Sequence, residues 1–180
     1  MARRMLGIFT RIGLGLTILA APDVASARAG DLPRYYIMRH LDRTLNGDGL
    51  SAAGRENACR LARWFVGREL AAIYIRKFAR TAATAEQTAA EHGIKVREFD
   101  RTVALVDALR TSRGPVLAVG NTDNVQQVIR GVGGTPPKDV SNFRWVWIVR
   151  ANGRTTVDRV PDTGPGCPAP RRTGRGGPLR

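Results

Sequence analysis

Arg39 and His40 stand side by side at the end of a short apolar run, Tyr35-Tyr36-Ile37-Met38, with Asp42 and Arg43 just behind them. A further arginine, Arg80, opens a helical pattern in FARTAATAEQTA. The turn Gly120-Asn121-Thr122-Asp123-Asn124 leads from an apolar strand into another helix. Arginines gathered at helix N-termini suit phosphate, because guanidinium grips phosphate oxygens as a bidentate fork. Free helix N–H groups and the helix dipole add to that grip. A histidine set in such a cradle can attack phosphorus, and a phosphohistidine then splits hydrolysis into two easier steps.

These residues need strands and helices to hold them. Arg34–Arg39 reads as a strand, followed by a polar loop to Leu50. Ser51 is an N-cap for a helix with Ala58, Leu61, Ala62 and Phe65 on one face. Ala71–Ile75 is a second strand, Arg80–His92 a helix closed by Gly93, and Ile94–Phe99 a third strand. Thr102–Leu109 fits a helix with Val103, Val106 and Leu109 on one face. Pro115–Val119 is an apolar fourth strand, and Val125–Val132 a helix closed by Gly133-Gly134. Arg144–Val149 and Thr155–Val160 flank Asn152-Gly153, which predicts a hairpin with a type I′ turn. Alternating strands and helices predict an α/β fold: a three-layer αβα sandwich with a mostly parallel central sheet and an antiparallel edge hairpin. In such sheets ligands bind beyond the carboxyl ends of the strands, where Arg39-His40, Arg76–Arg80 and Asn121–Asn124 fall.

Four blocks in this order resemble the histidine phosphatase superfamily, in its phosphoglycerate-mutase-like branch. They are YYIMRHLDR, DGLSAAGRENACRLARWF, IYIRKFARTAATAEQTA and VLAVGNTDNVQQVIRGVGG. The likeness runs from Tyr35 to about Val160. It implies that His40 is the phospho-accepting nucleophile and that Arg39 and Arg80 bind the phosphate. Arg43 lies where the acid-phosphatase branch has another phosphate-binding arginine, or it is a surface charge. Asp42 stands where mutase-like relatives often have glutamate, in an orienting role. Two positions depart from the pattern. Leu41 replaces the glycine after the histidine, and Asn121 replaces the second histidine, which donates to the transferring phosphoryl group. Asn121 then either keeps a weaker catalytic role or serves as an N-cap. Asp123 is a candidate general acid for the leaving alcohol, or simply first-turn helix chemistry. The only other histidine, His92, falls at a helix end away from the site. No metal-ligand cluster is visible, the implied chemistry needs none, and no cofactor is expected.

The remaining sequence sets the context. The formal charge is +14, with 29 Lys+Arg against 15 Asp+Glu. Only Lys77, Lys95 and Lys138 are lysines, and the charge is spread along the chain. It favours anionic ligands in general, but stacking aromatics and nucleic-acid motifs are absent, so no nucleic acid is expected. Residues 1–29 read as a signal peptide: basic MARR, an apolar stretch about ten residues long, and small residues at A-x-A spacing that predict cleavage after Ala29 or Ala27. This predicts a periplasmic or secreted protein with no stable membrane span after cleavage. A histidine-phosphatase-like domain over 30–160 and a disordered, basic Pro/Gly-rich tail over 161–180 follow. Cys59 and Cys167 are expected to be free thiols rather than a tail-to-helix staple. The resulting expectation is an exported, metal-independent phosphomonoester hydrolase working through His40 on a small phosphomonoester or a phosphoprotein. The alternative is a catalytically impaired relative that binds a phosphorylated ligand or partner. Mutase activity is not expected, because the chain lacks segments to hold a sugar phosphate.

Overall fold

The computed structural model describes residues 33–164. The predicted signal segment and most of the predicted tail lie outside these residues. Strand β1 (Pro33–Arg39) is followed by helix α1 (Ala52–Trp64), β2 (Ala72–Arg76), α2 (Ala79–His92), β3 (Val96–Phe99) and α3 (Thr102–Thr111). Strand β4 (Val116–Gly120), α4 (Thr122–Gly131), β5 (Trp145–Arg150) and β6 (Thr155–Arg159) complete the order. The six strands form one sheet in the order β3-β2-β4-β1-β5-β6. The first four run parallel, and β5 and β6 close the other edge as an antiparallel hairpin.

Both faces of β1, β2 and β4 are covered, so their residues are mostly apolar without alternation, whereas the edge strand β3 exposes Arg97 and Glu98. On one face Tyr36, Met38, Ile73, Ile75, Leu117 and Val119 pack against α1 and α2 through Leu61, Phe65 and Ala85. On the other, Tyr35, Ile37, Tyr74, Val116 and Ala118 pack against α3 and α4 through Leu105, Leu109, Val125 and Ile129. That is the expected three-layer sandwich.

The helix ends follow local rules. Ser51 accepts a hydrogen bond from Gly54 N at 3.1 Å, as an N-cap should. Gly93 closes α2 in the left-handed region at φ 63°. Three local expectations are corrected. In α3, Val103 faces solvent, and Leu105 and Leu109, four residues apart, carry the buried stripe instead. Helix α4 starts three residues earlier than expected, with Asn121 at the N-cap position in extended backbone and the Asn124 side chain accepting its N–H. The β5–β6 turn is not type I′, which needs two positive φ angles. Only Gly153 is positive, at 82°, and Gly153 N donates to Arg150 O at 2.9 Å. A type I turn followed by a left-handed glycine gives the same hairpin with a bulge. The expectation of free thiols also fails, because Cys59 is disulfide-bonded. Cys167, the other cysteine of the sequence, lies outside the described residues.

One glycine is required by close approach. A Cβ on Gly54 would run into the backbone carbonyl of Asp42, two residues past the nucleophile candidate. Helix α1 is thereby seated directly on the loop that follows β1. Gly54→Ala is expected to lower stability by about 1–3 kcal/mol, as overpacking against backbone does. Gly49→Ala, with open space around it, is expected to stay within about 0.5 kcal/mol of the parent. Thermal melts of the two variants check this, and equal effects would contradict the seating.

Candidate functional site

The parallel strands end together. Arg39 pairs with Gly120 across β1 and β4, and His40 N donates to Gly120 O at 2.9 Å. His40 and Asn121 therefore leave neighbouring strand ends at the same level. Strand β4 lies between β1 and β2, so the chain direction switches at this point, which is where such sheets form a ligand crevice.

His40 is 3 % exposed. Its Nδ1 lies 2.7 Å from the Leu41 carbonyl oxygen. A carbonyl only accepts, so Nδ1 carries the proton and the Nε2 lone pair is free. Burial is the main cause that pushes the imidazole pKa down to about 4. The bond to the Leu41 carbonyl works against that shift, and the charges of Arg39, Arg80 and Arg43 add to it. Three of the expected arginines thus surround the histidine closely enough to be felt by it. Burial, with Arg43 and Arg80 nearby, also lowers the pKa of Arg39. Such a concentration of positive charge around a neutral base favours an anion.

Leu41 needs no special backbone, because no residue other than glycine has a positive φ among the described residues. Its side chain is fully buried in the core below the site. Its N–H donates to Thr84 Oγ1 at 3.0 Å, tying the loop after β1 to α2. Asp42 accepts from Asn57 Nδ2 at 3.0 Å, and its carbonyl accepts from Ser51 N at 2.9 Å. That fits an orienting role through α1. Arg43 is exposed, on an isolated bridge to Leu50.

Arg39 Nη1 donates to the Ser141 carbonyl at 2.6 Å, and its guanidinium lies 4.0 Å over the Phe143 ring. The Phe143 ring also approaches His40, centroid to centroid 5.5 Å. Arg80 is bound through Nη1 to Asp48, whose other oxygen accepts from Ala79 N at 2.8 Å. One N–H at the α2 terminus is therefore already taken. The Nε atoms of Arg39 and Arg80 are buried and without a partner. Phe143, Ser141 and Asp48 escaped the sequence reading. Asp48 opens one of the quoted motif blocks, but neither its type nor its spacing announces a partner in α2. Phe143 follows a loop with no periodicity.

Asn121 is buried at the start of α4. Asn124 Oδ1 folds back to accept its N–H at 2.8 Å, while Asn121 Oδ1 has no partner. Asp123 is exposed in the first turn of α4, and no hydrogen bond among the described residues joins it to Arg39, His40, Arg43 or Arg80. His92 ends α2, twelve residues and about 18 Å along the helix from Arg80, against the Phe65 ring at 6.3 Å.

Fold and site together describe a three-layer α/β protein with a neutral histidine set among arginines at the strand ends. The family model for histidine phosphatase superfamily (branch 1) matches residues 36–104, a segment that includes Arg39, His40, Arg43 and Arg80 and ends before Asn121. Over that segment the chain is similar to the histidine phosphatase superfamily. No curated protein matches it in sequence. Among solved structures it is similar to the protein histidine phosphatase SixA complexed with tungstate, with TM-score 0.55 and 18% identity over 69% of this chain and 93% of that one. It is also similar to Bacillus stearothermophilus YhfR, with TM-score 0.53 and 17% identity over 72% and 97%. A third is the Entamoeba histolytica phosphoserine phosphatase with 3-phosphoglyceric acid, at TM-score 0.51 and 13% identity over 72% and 96%. These likenesses establish the fold.

The depressed imidazole pKa makes a testable statement. Above the ordinary value of 6.5, His40 is neutral in both the folded and unfolded chain. As pH falls below 6.5, the unfolded chain takes up a proton that the folded site refuses, until the folded group titrates near 4. Stability is therefore expected to decline across that window and level off below it, and His40→Gln should lose that slope. In the anion-free chain, NMR titration of the His40 ring should give a midpoint near 4, and a midpoint at 6.5 would contradict the burial argument. Bound phosphate should move the midpoint upward.

Proposed function

We propose that the protein is a metal-independent phosphomonoester hydrolase that works through a phosphohistidine on His40. The observation that carries this reading is the protonated Nδ1 held by the Leu41 carbonyl, which leaves Nε2 as a free nucleophile among Arg39, Arg43 and Arg80. In the first step Nε2 bonds to phosphorus, the bond to the ester oxygen breaks, and the leaving alkoxide takes a proton from an acid. Asp123 is the candidate for that acid. In the second step water attacks phosphorus and gives its proton to the carboxylate left by the first step, the P–N bond breaks, and inorganic phosphate leaves with His40 neutral and the acid restored. The arginines neutralise the phosphoryl oxygens throughout. Substrates of this class are small phosphomonoesters or phosphoproteins.

A second reading is favoured by Asn121 in the place of the family's second histidine: an impaired relative that keeps the arginine cradle and binds a phosphorylated ligand or partner. An amide donates a hydrogen bond but supplies no charge. Removing one donor to a developing oxyanion costs about 100- to 1,000-fold in rate, so slow turnover is the expectation rather than none.

Export belongs to the same proposal. It rests on the A-x-A pattern of the first 29 residues and is supported by the disulfide at Cys59, a bond that persists outside reducing compartments. The proposed domain limits remain 30–160, with a tail over 161–180. No helix of the described residues is long and apolar enough to cross a membrane.

Hydrolysis of an aryl phosphate without added metal tests the enzyme reading. Turnover is expected in the parent, loss to background in His40→Ala, and a gain of about tenfold or more in Asn121→His. A silent parent revived by Asn121→His would select the impaired-relative reading. Silence in both would remove Asn121 from the catalytic position.

A further inference from the structure

Two arginines whose charge acts on the histidine are held in the same way. Arg39 gives Nη1 to the Ser141 carbonyl and lies over the Phe143 ring at 4.0 Å. Arg80 gives Nη1 to the Asp48 carboxylate and lies over the Phe78 ring at 4.3 Å. Each therefore has one acceptor on Nη1, one aromatic ring on its face, and a buried Nε without a partner. The arrangement also accounts for an apolar ring left at the surface, since Phe78 is 36% exposed and its face is covered by Arg80.

We propose that these are matched clamps, with Asp48 and Phe78 as positioning residues for Arg80 and Phe143 as the positioning residue for Arg39. The clamps fix both guanidiniums before any ligand arrives and leave their Nε–H groups for an anion beside His40. The clamped group is the one proposed above to bind phosphate, so the consequence for affinity rests on that reading. The clamp itself does not.

The physical reason is entropy. A free arginine side chain has much rotamer freedom to lose when it grips a ligand. Ordering it beforehand transfers that loss to folding and leaves the ligand's binding energy intact. The holding groups are themselves tied down. Thr44 N donates to Gly49 O at 3.1 Å and Arg43 bridges Leu50, closing a small loop around Asp48. Asp48 also caps α2 in trans at Ala79 N, where the helix has no acidic residue in its first turn and no side-chain cap of its own. Asp139 accepts from Ser141 N at 2.7 Å and from Ser141 Oγ at 2.9 Å, bracing the segment that holds Arg39.

Charge alone predicts the opposite result. Asp48 is a negative group beside the anion site, so its removal should tighten phosphate if it acts only through its charge. The experiment uses the full chain with Asp48→Ala and Phe78→Ala, the second of which changes no charge. Nitrogen-15 NMR of the arginine side chains reads order at Arg80 Nε and Nη, and calorimetric titration with inorganic phosphate reads affinity. A slowly rotating Arg80 guanidinium is expected in the parent and a fast one in both variants. Phosphate affinity should fall about two- to tenfold in each, the range for one newly ordered side chain. Tighter phosphate in Asp48→Ala, or unchanged Arg80 rotation in both variants, would overturn the clamp. A parent that binds no phosphate, with Arg80 rotation slow in it and fast in the variants, would keep the clamp and overturn the phosphatase reading.

Discussion

The hydrogen bond from His40 N to the Gly120 carbonyl, 2.9 Å long, is the last rung between β1 and β4. It sets the level at which both chains leave the sheet. Because β4 sits between β1 and β2, the chain that leaves β1 and the chain that leaves β4 turn to opposite layers. The nucleophile loop runs to α1 on one face, and Asn121 opens α4 on the other. The crevice between them is a consequence of strand order, and the arginines are placed by what surrounds it. A slip of β1 against β4 by one residue would turn every side chain of β1 to the wrong face. Ile37 and Met38, buried on opposite faces, hold the register.

Burial then decides the chemistry of the histidine. An exposed imidazole beside three arginines would still titrate near neutrality, only somewhat depressed. Taken out of water it stays neutral down to about pH 4, and the Leu41 carbonyl selects the tautomer. The same burial leaves the Nε atoms of Arg39 and Arg80 without partners. Unpaired buried donors of this kind are costly to the fold, and the two that belong to arginines whose charge acts on His40 would be satisfied by an anion. The carboxylates nearby are each engaged: Asp48 pairs with Arg80 and accepts from Ala79 N, Asp139 accepts from Ser141, and Asp42 accepts from Asn57.

Much of this was legible in the residues. The strands were readable because they are short apolar runs bounded by polar turns, and the order of four blocks placed Arg39, His40 and Arg80 at strand and helix ends. The errors have identifiable causes. Val103 was assigned to the buried stripe of α3 because Val103, Val106 and Leu109 obey helical spacing, but so do Leu105 and Leu109, and packing against β2 and α4 selects the latter. The hairpin at Asn152-Gly153 was recognised, but turn type depends on φ at Asn152, which residue identity does not determine. The clamping residues were out of reach for a different reason. Asp48 meets Arg80 across 32 residues and Ser141 meets Arg39 across 102, and contacts of that separation leave no local pattern.

The departure at Asn121 bears on binding and on turnover in different ways. Holding a phosphate in its ground state depends on charge already present, which in the proposed reading Arg39, Arg43 and Arg80 supply. Transfer moves charge onto the phosphoryl oxygens and the leaving group, and only interactions that strengthen at that moment accelerate the reaction. A protonated histidine at the end of β4 would be one of these; a carboxamide contributes its dipole alone. Nor can the fold restore the charge from elsewhere, since the remaining histidine lies at the far end of α2 against Phe65. Asn124 folds back onto the backbone N–H of residue 121, which any residue but proline would offer, so it is Asn124, with α4 starting directly from the turn, that serves the helix, and the Asn121 side chain is left free of that task. In the proposed reading the cradle and the transfer step are thus separable: anion binding would draw on the arginines and His40, whereas the rate of transfer would depend on what the Asn121 side chain donates.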